Sequence, residues 1–192
     1  PILIPTYWEM ATVSKKTTTL VICINLCAAA LIIGLSVATA VRHSHTYDEL
    51  ILDMARARDL DPRLISALIW KESRYDPQAV GKAGEIGLMQ VMGPAALERA
   101  NAEKIARFDL NDLYDPRTNL LAGTWYLAKA IEDWKEKKDP VPYALAQYNA
   151  GRSRVLKWDK ALAESEKQVT FIEGIAFPGT KKYVEDIMGK YQ

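Results

Sequence analysis

The sequence predicts an all-α protein, and three observations lead to this fold class. Apolar residues recur at intervals of three and four in one segment after another, which is the spacing of a helix face turned toward a core. No stretch shows the sustained alternation of apolar and polar residues that is typical of a half-buried strand. Proline and glycine stand where several of these segments begin or end, which marks them as separate helices.

The composition is that of a globular protein with one domain and an appendage. The 192 residues are 49% apolar and 26% charged, which is typical of a chain that buries a core. The whole chain carries a net charge of +1, and the charges beyond residue 40 balance to zero. A neutral domain of mixed charge lacks the basic stripe of a nucleic-acid-binding protein, so we expect no nucleic-acid partner.

The N-terminal segment, residues 1–41, is predicted to direct export. Two lysines precede an apolar run at about residues 20–37, and Ala-Thr-Ala follows at 38–40. A basic stretch, an apolar run and an Ala-x-Ala site together are typical of a secretory signal peptide. The chain does not begin with methionine, and Met10 is a candidate start.

The same apolar run supports a second interpretation, an uncleaved anchor. About 18 to 20 apolar residues span a bilayer, so residues 20–38 also suit a helix anchored in the inner membrane. Both interpretations keep the lysines in the cytoplasm and place the second domain, residues 42–192, outside it. We therefore expect an exported bacterial protein of the periplasm or cell envelope.

Neither a metal nor a cofactor is predicted. Cys23 and Cys27 both lie in the apolar run, so the second domain has no thiol for a disulfide or a cysteine metal site. His43 and His45 have no third ligand nearby and are interpreted as part of a solvated linker. The sequence also contains no phosphate loop and no His-Glu-x-x-His pattern.

The first two helices of the second domain have clear boundaries. Residues 47–60 form the first, because apolar residues repeat at helical spacing behind acidic residues near its start. Asp61 is an N-cap followed by Pro62 at the first helical position, and Tyr75-Asp76-Pro77 stops the helix that they open. A loop with three glycines at residues 78–87 and a short apolar segment at residues 88–92 come next.

The later helices are also marked by their ends. Helices are predicted from residue 94 to 102 and from residue 118 to 137, with a turn at residues 111–117 between them. The second of these is amphipathic, and Asp-Pro at residues 139–140 ends that region. Gly151 closes a short helix at residues 141–150, and the last two helices are predicted at residues 152–163 and 180–191.

The helix opened by Asp61 carries a carboxylate on its apolar side. At 100° per residue, Glu72 lies on the same stripe as Ile65, Leu68 and Ile69. Burial penalises the charged form of a carboxyl group and raises its pKa, and the negative end of the helix dipole raises the pKa further. Glu72 is then an acid that keeps its proton near neutral pH. The alternative is that the helix frays before Glu72 and the side chain reaches solvent.

Other polar or aromatic side chains stand in apolar, glycine-punctuated sequence. Taken singly, each has an ordinary structural explanation as a helix-terminal hydroxyl, a core filler, a surface amide or a packed ring. Taken together, they form a set of candidate site residues: Ser73, Met89, Gln90, Tyr148, Asn149 and Tyr183.

This set resembles the signature of the lytic transglycosylases with a lysozyme-like domain, the family of the soluble transglycosylase catalytic module, which is related to goose-type lysozyme. The resemblance covers about residues 46–191 in the family's order. One departure is Gly179, where relatives commonly have glutamate. The resemblance therefore does not predict which contacts support the last helix. The matching segments are residues 67–73, 84–92, 119–127, 144–151 and 177–184.

The resemblance implies a lysozyme-like fold and a role for each matching position. Glu72 is implied to be the single catalytic acid, and Tyr183 to hydrogen-bond it and hold it in place. Ser73 is implied to contact the substrate, although the contacting hydroxyl in relatives comes from the loop at residues 81–85, which lacks serine here.

The other matching positions are implied to bind the N-acetylated sugars beside the cleaved bond. Met89 is implied to form a floor and Gln90 a polar contact. Tyr148 and Asn149 are implied to form a wall and an amide contact on the opposite side.

The implied reaction cleaves peptidoglycan glycan strands between N-acetylmuramic acid and N-acetylglucosamine and leaves a 1,6-anhydro end, with Glu72 as acid and then as base. Glycosidases usually present two carboxylates. The candidates for a second, Asp76 and Glu85, lie in polar sequence and are expected to face water. Two alternatives remain, a lysozyme-type hydrolase that uses the same glutamate and a non-catalytic peptidoglycan-binding module.

Overall fold

The computed structural model describes residues 19–32, 46–165 and 169–192. The chain divides into two units, Pro1–Arg42 and His43–Gln192. In the first unit, residues 19–32 form helix α1, whose side chains are exposed. Across these described ranges, no helix is both long and apolar enough to cross a membrane. The predicted cleavage site, the end of the predicted anchor and the two histidines lie outside the described residues.

The second unit is built from helices joined by loops, so the mainly helical fold predicted from the sequence is confirmed. Its described residues contain no strand, and only two isolated bridges join Ile86 to Val80 and to Val91. The helices are α2 (Asp48–Arg58), α3 (Pro62–Ser73), α4 (Gly93–Ala102), a 3₁₀ helix (Leu110–Tyr114), α5 (Pro116–Asp133), α6 (Val141–Ala150), α7 (Arg152–Ala163), α8 (Phe171–Gly174) and α9 (Pro178–Tyr191).

Local sequence explains where these helices differ from the predicted ones. Helix α5 begins two residues earlier than predicted, because the Asp115 side chain accepts a hydrogen bond from the backbone N–H of Thr118 and caps it there. Helix α8 was not predicted. It is only four residues long, and Thr170 and Glu173 cap it reciprocally. A helix this short has no room for an apolar period, so only its capping pair could have revealed it.

Helix α3 packs against α2 and α9, while α6 packs against α5, α7 and α9. Ile65, Leu68 and Ile69 of α3 are fully buried, as the apolar stripe predicted. Each such side chain contributes about 1.5–3 kcal/mol of transfer free energy on burial. These buried side chains anchor α3, and with it the residues at its C-terminal end, to the core.

The C-terminal end of α3 is set by two left-handed residues. Arg74 and Tyr75 have φ values of 57° and 66°, a conformation that costs energy for residues other than glycine. The Tyr75 hydroxyl donates to the backbone carbonyl of Ser66 at 3.1 Å and holds the turn. The chain reverses here, and the following loop returns past the end of α3, where the Ser73 hydroxyl donates to the carbonyl of Leu88 at 2.8 Å.

Candidate active site

Glu72 lies in the last turn of α3 and lines a cavity of about 220 Å³, which we call the acid cavity. A second cavity of about 330 Å³ shares Gln90, Met92 and Tyr148 with it. The two cavities adjoin one another and together offer room for more than one sugar ring. The residues that line the acid cavity are Glu72, Glu85, Gln90, Met92, Tyr148 and Asn149.

Helix α9 supplies the hydrogen bond that fixes the Glu72 carboxyl group. The hydroxyl of Tyr183 donates to Glu72 Oε1 at 2.5 Å. Tyr183 is itself only 5% exposed, so its ring position is fixed by the core. The structure therefore brings Tyr183 to Glu72 across 111 residues of sequence, where the resemblance expected it.

The pKa of Glu72 is raised to about 7. The largest cause is burial, which penalises the charged carboxylate, and the hydrogen bond from Tyr183 acts against it by stabilising that charge. The negative charge of Glu85 raises the pKa, whereas the positive charge of Lys71 lowers it. The Glu72 side chain is only half-buried, so the group is both protonated near neutral pH and open to the cavity.

Replacement of Tyr183 by phenylalanine is expected to raise the pKa of Glu72 above about 7. The hydroxyl donates to the carboxylate, and its loss removes an interaction that favours the charged form. A pH titration of ¹³C-labelled glutamate carboxyl groups by NMR measures this change. Tyr114→Phe, in the 3₁₀ helix, is the matched control and should leave Glu72 unchanged. A Glu72 pKa that stayed constant or fell in Tyr183→Phe would contradict the assigned role of the hydrogen bond.

Two predicted substrate contacts lie outside both cavities. The Ser73 hydroxyl is used in its bond to the Leu88 carbonyl, and the Met89 side chain is fully buried. Neither residue lines the acid cavity or the adjoining one. The substrate contacts that the resemblance implies for them stay predictions. In this structure Ser73 ties the loop to α3, and the Met89 side chain packs against Gly123.

Gln90 lines both cavities from a strained position. Its φ of 46° is unusual for a residue with a side chain, and such strain is concentrated at functional sites. The amide nitrogen donates to the carbonyls of Ala79 and Gly87 at 3.1 and 3.0 Å. Because both N–H bonds are used in the loop, the side-chain oxygen is left as an acceptor for a ligand.

Tyr148 forms one wall and is fixed from two sides. Its hydroxyl donates to the backbone carbonyl of Met89 at 2.9 Å, and its ring meets the ring of Tyr126 edge to face at 5.5 Å between centroids. Burial raises the pKa of the Tyr148 hydroxyl far above its usual value. Tyr148 therefore acts here as a neutral aromatic wall.

Asn149 is exposed beside Tyr148 and is oriented by α9. Its side-chain oxygen accepts a hydrogen bond from the hydroxyl of Thr180 at 2.8 Å, so the amide nitrogen is the atom left to donate to a ligand. Thr180 was not singled out from the sequence. It follows Gly179, the departure from the family pattern, and a Cβ at Gly179 would meet nothing within 4 Å.

Asn119 is fully buried and holds the loop that carries Gln90. Its oxygen accepts from the N–H of Met89 at 2.9 Å, and its nitrogen donates to the carbonyls of Ile86 and Leu113 at 2.8 Å each. Gly87 has a φ of 77°, and a Cβ there would lie 2.3 Å from the Asn119 nitrogen. Only glycine allows this close approach.

Asp76 faces water as predicted, whereas Glu85 lies on a cavity wall. Asp76 is exposed, and its carboxylate accepts from the N–H of Gln78 at 2.8 Å. Glu85 was expected to face water, but it lines the acid cavity together with Glu72. The sequence around Glu85 is polar and glycine-rich, and such a loop has no period from which the direction of a side chain could be predicted.

The second unit is similar in sequence to a known protein family. The model of the transglycosylase SLT domain family matches residues 49–171, well over half of the chain. The soluble lytic murein transglycosylase of Salmonella typhimurium is 29% identical over 143 residues, which are 74% of this chain and 22% of that protein. The chain thus spans about a fifth of the length of this relative.

Solved structures show the same similarity in three dimensions. A complex of the 70-kDa soluble lytic transglycosylase with bulgecin A has a TM-score of 0.69 and 27% identity, over 76% of this chain and 23% of that one. An inactive glutamate-to-glutamine mutant of lytic transglycosylase Slt from Pseudomonas aeruginosa has a TM-score of 0.63 and 26% identity, over 74% and 23%. The chain belongs to the transglycosylase SLT domain family.

Proposed function

We propose that this protein is a peptidoglycan lytic transglycosylase that cleaves the bond between N-acetylmuramic acid and N-acetylglucosamine. The observation that carries the proposal is Glu72, a half-buried carboxyl group with a pKa of about 7 that is held by Tyr183 and open to a cavity. Membership in the SLT domain family supports the same substrate class. The reaction needs neither a metal nor a cofactor, because acid–base chemistry is sufficient.

In the first step, the proton of Glu72 passes to the bridging oxygen as the bond from that oxygen to the anomeric carbon breaks. Gln90 offers an acceptor oxygen and Asn149 a donor nitrogen on two sides of the same cavity. These groups are proposed to align the acetamido and hydroxyl groups of the sugars beside the bond. The neighbouring acetamido group of the substrate then steadies the positive charge that develops on the ring.

In the second step, Glu72 is a carboxylate and takes the proton of the C6 hydroxyl of the muramic acid. That oxygen attacks the anomeric carbon and closes the 1,6-anhydro ring. Glu72 regains its proton, so the cycle consumes no water. A carboxyl group with a pKa near the working pH can both donate a proton and accept one. Acid or base assistance accelerates a reaction by about 10²–10⁴-fold per role.

Mass spectrometry of the muropeptides released from purified sacculi tests this proposal. A transglycosylase gives fragments that end in the anhydro sugar, which are lighter by one water than hydrolysis products. Products with a reducing N-acetylmuramic acid end would contradict the transglycosylase reaction. Sacculi incubated with the Glu72→Gln variant serve as the control for release by other means.

Glu85 gives a specific reason to keep hydrolysis as a second candidate. Hydrolytic glycosidases use a second carboxylate as nucleophile or as base for water, and Glu85 lines the same cavity as Glu72. The mass of the products separates the two reactions. A non-catalytic binding module is disfavoured, because a binder has no need of a carboxyl group whose pKa is raised to about 7.

We also propose that the protein acts in the cell envelope. The basic pair, the apolar run and the Ala-Thr-Ala site support export, and the substrate lies outside the cytoplasm. Cleavage after Ala40 yields a periplasmic enzyme, whereas an uncleaved run tethers it to the inner membrane. N-terminal sequencing of the exported protein decides between these two forms.

A further inference from the structure

The acid cavity holds a second carboxylate that the proposed reaction does not use. Glu85 lines this cavity with Glu72, and its Oε2 accepts a hydrogen bond from the N–H of Ala83 at 2.9 Å. Within the described residues, no lysine, arginine or histidine lines the same cavity. The charge of Glu85 therefore has no cationic partner on the cavity wall.

Gly81 makes the position of this carboxylate possible. A Cβ built on Gly81 would lie 2.1 Å from Glu85 Oε2 and 2.8 Å from Gln90 Oε1, closer than real contacts allow. The side chain of Glu85 thus fills the space that any other residue at position 81 would occupy. The absence of a side chain at Gly81 therefore leaves a defined space in which the Glu85 carboxylate lies.

We propose that Glu85 is a positioning residue for the acid. Its negative charge, held on the wall of the cavity that it shares with Glu72, favours the protonated form of Glu72 between turnovers. This inference rests on the proposed function. Like charges that share a cavity penalise ionisation of the second group. Glu85 acts through Glu72, and neither donates nor takes a proton in the reaction.

The other groups described near Glu72 do not favour its protonated form by a negative charge. Tyr183 from α9 stabilises the carboxylate form, as does Lys71, whose own charge is paired with Asp186 at 2.7 Å. Tyr148 from α6 is a neutral ring whose raised pKa keeps it uncharged. Of the two charged side chains that act on Glu72, Glu85 opposes its ionisation and Lys71 favours it.

The pH dependence of kcat/KM on purified sacculi in the Glu85→Gln variant tests the proposal. The rate of a general acid falls as pH rises through its pKa, and removal of the neighbouring charge moves that fall to lower pH. We expect kcat/KM to be about three- to tenfold lower than wild type at pH 8 and within about twofold of it at pH 5. The released products should still carry the anhydro end.

Three further variants separate electrostatics from structure. Glu85→Asp keeps the charge and should restore the wild-type profile. Gly81→Ala keeps the charge but pushes the carboxylate aside, and it should shift the profile as Glu85→Gln does. Glu136→Gln removes an exposed carboxylate on the segment after α5 and should leave the profile unchanged.

Each outcome decides the matter. An alkaline limb that stays in place in Glu85→Gln overturns the inference while leaving the proposed function intact. Activity lost equally at every pH also overturns it; where urea unfolding shows that Glu85→Gln is as stable as wild type, this result instead indicates a second catalytic group, as in a hydrolase. If wild type releases no anhydro muropeptides, the proposed function itself fails.

Discussion

Replacement of Glu72 by glutamine is expected to lower the release of muropeptides from purified sacculi by at least roughly 10³-fold. The amide has no proton to give to the bridging oxygen and no basic oxygen to take one from the C6 hydroxyl. Loss of both roles, each worth about 10²–10⁴-fold, removes most of the acceleration. Release is measured by chromatography of soluble muropeptides over time. Continued release at the wild-type rate would contradict the assignment of Glu72.

The stability of the same variant shows whether it remains folded. The pKa of Glu72 is about 7 in the folded protein, against 4.5 for an ordinary glutamate. Ionisation therefore costs stability that grows from about pH 4.5 and is complete above pH 7. Glutamine removes this cost, so Glu72→Gln should be about 3 kcal/mol more stable than wild type at pH 8. The difference should vanish near pH 4, as measured by urea unfolding.

Replacement of Asn119 by alanine is expected to destabilise the fold by about 3–5 kcal/mol. The fully buried side chain satisfies one N–H and two carbonyl groups of the neighbouring loops. Alanine leaves these groups without partners in a place from which water is excluded. Activity should fall with stability, because the loop held by Asn119 carries Gln90. Urea unfolding followed by circular dichroism measures the loss.

Asn111→Ala is the matched control for this prediction. Asn111 is exposed on the 3₁₀ helix, and its replacement should change the free energy of unfolding by less than about 0.5 kcal/mol. Equal small effects in both variants would contradict the structural role of Asn119.

Much of the fold followed from the sequence because its signals are local. Asp61 and Pro62 mark the start of α3 by cap chemistry, and the apolar stripe of α3 is buried as its period predicts. The end of α6 at Gly151 was equally clear, since glycine adopts the positive φ of 84° found there. Such signals depend on neighbours three or four residues away, which the sequence displays directly.

The site was only partly predictable, because its loop has no periodic pattern. The family signature led to Tyr183, and the structure brings Tyr183 to Glu72. It also led to Met89, whose side chain is fully buried. Glu85 was expected to face water and instead lines the cavity. The direction of these side chains is decided by contacts across the fold, such as those of Asn119 with the loop.

The central claim is that Glu72 is a carboxylic acid that keeps its proton near neutral pH, and its own titration tests this most directly. The measurement is a ¹³C NMR titration of carboxyl-labelled glutamate in the whole protein, with the Glu72 signal assigned by its absence from Glu72→Gln. A midpoint of about 7 is the predicted result. A midpoint near 4.5, the ordinary value for glutamate, would contradict the claim and remove the physical basis of the proposed acid.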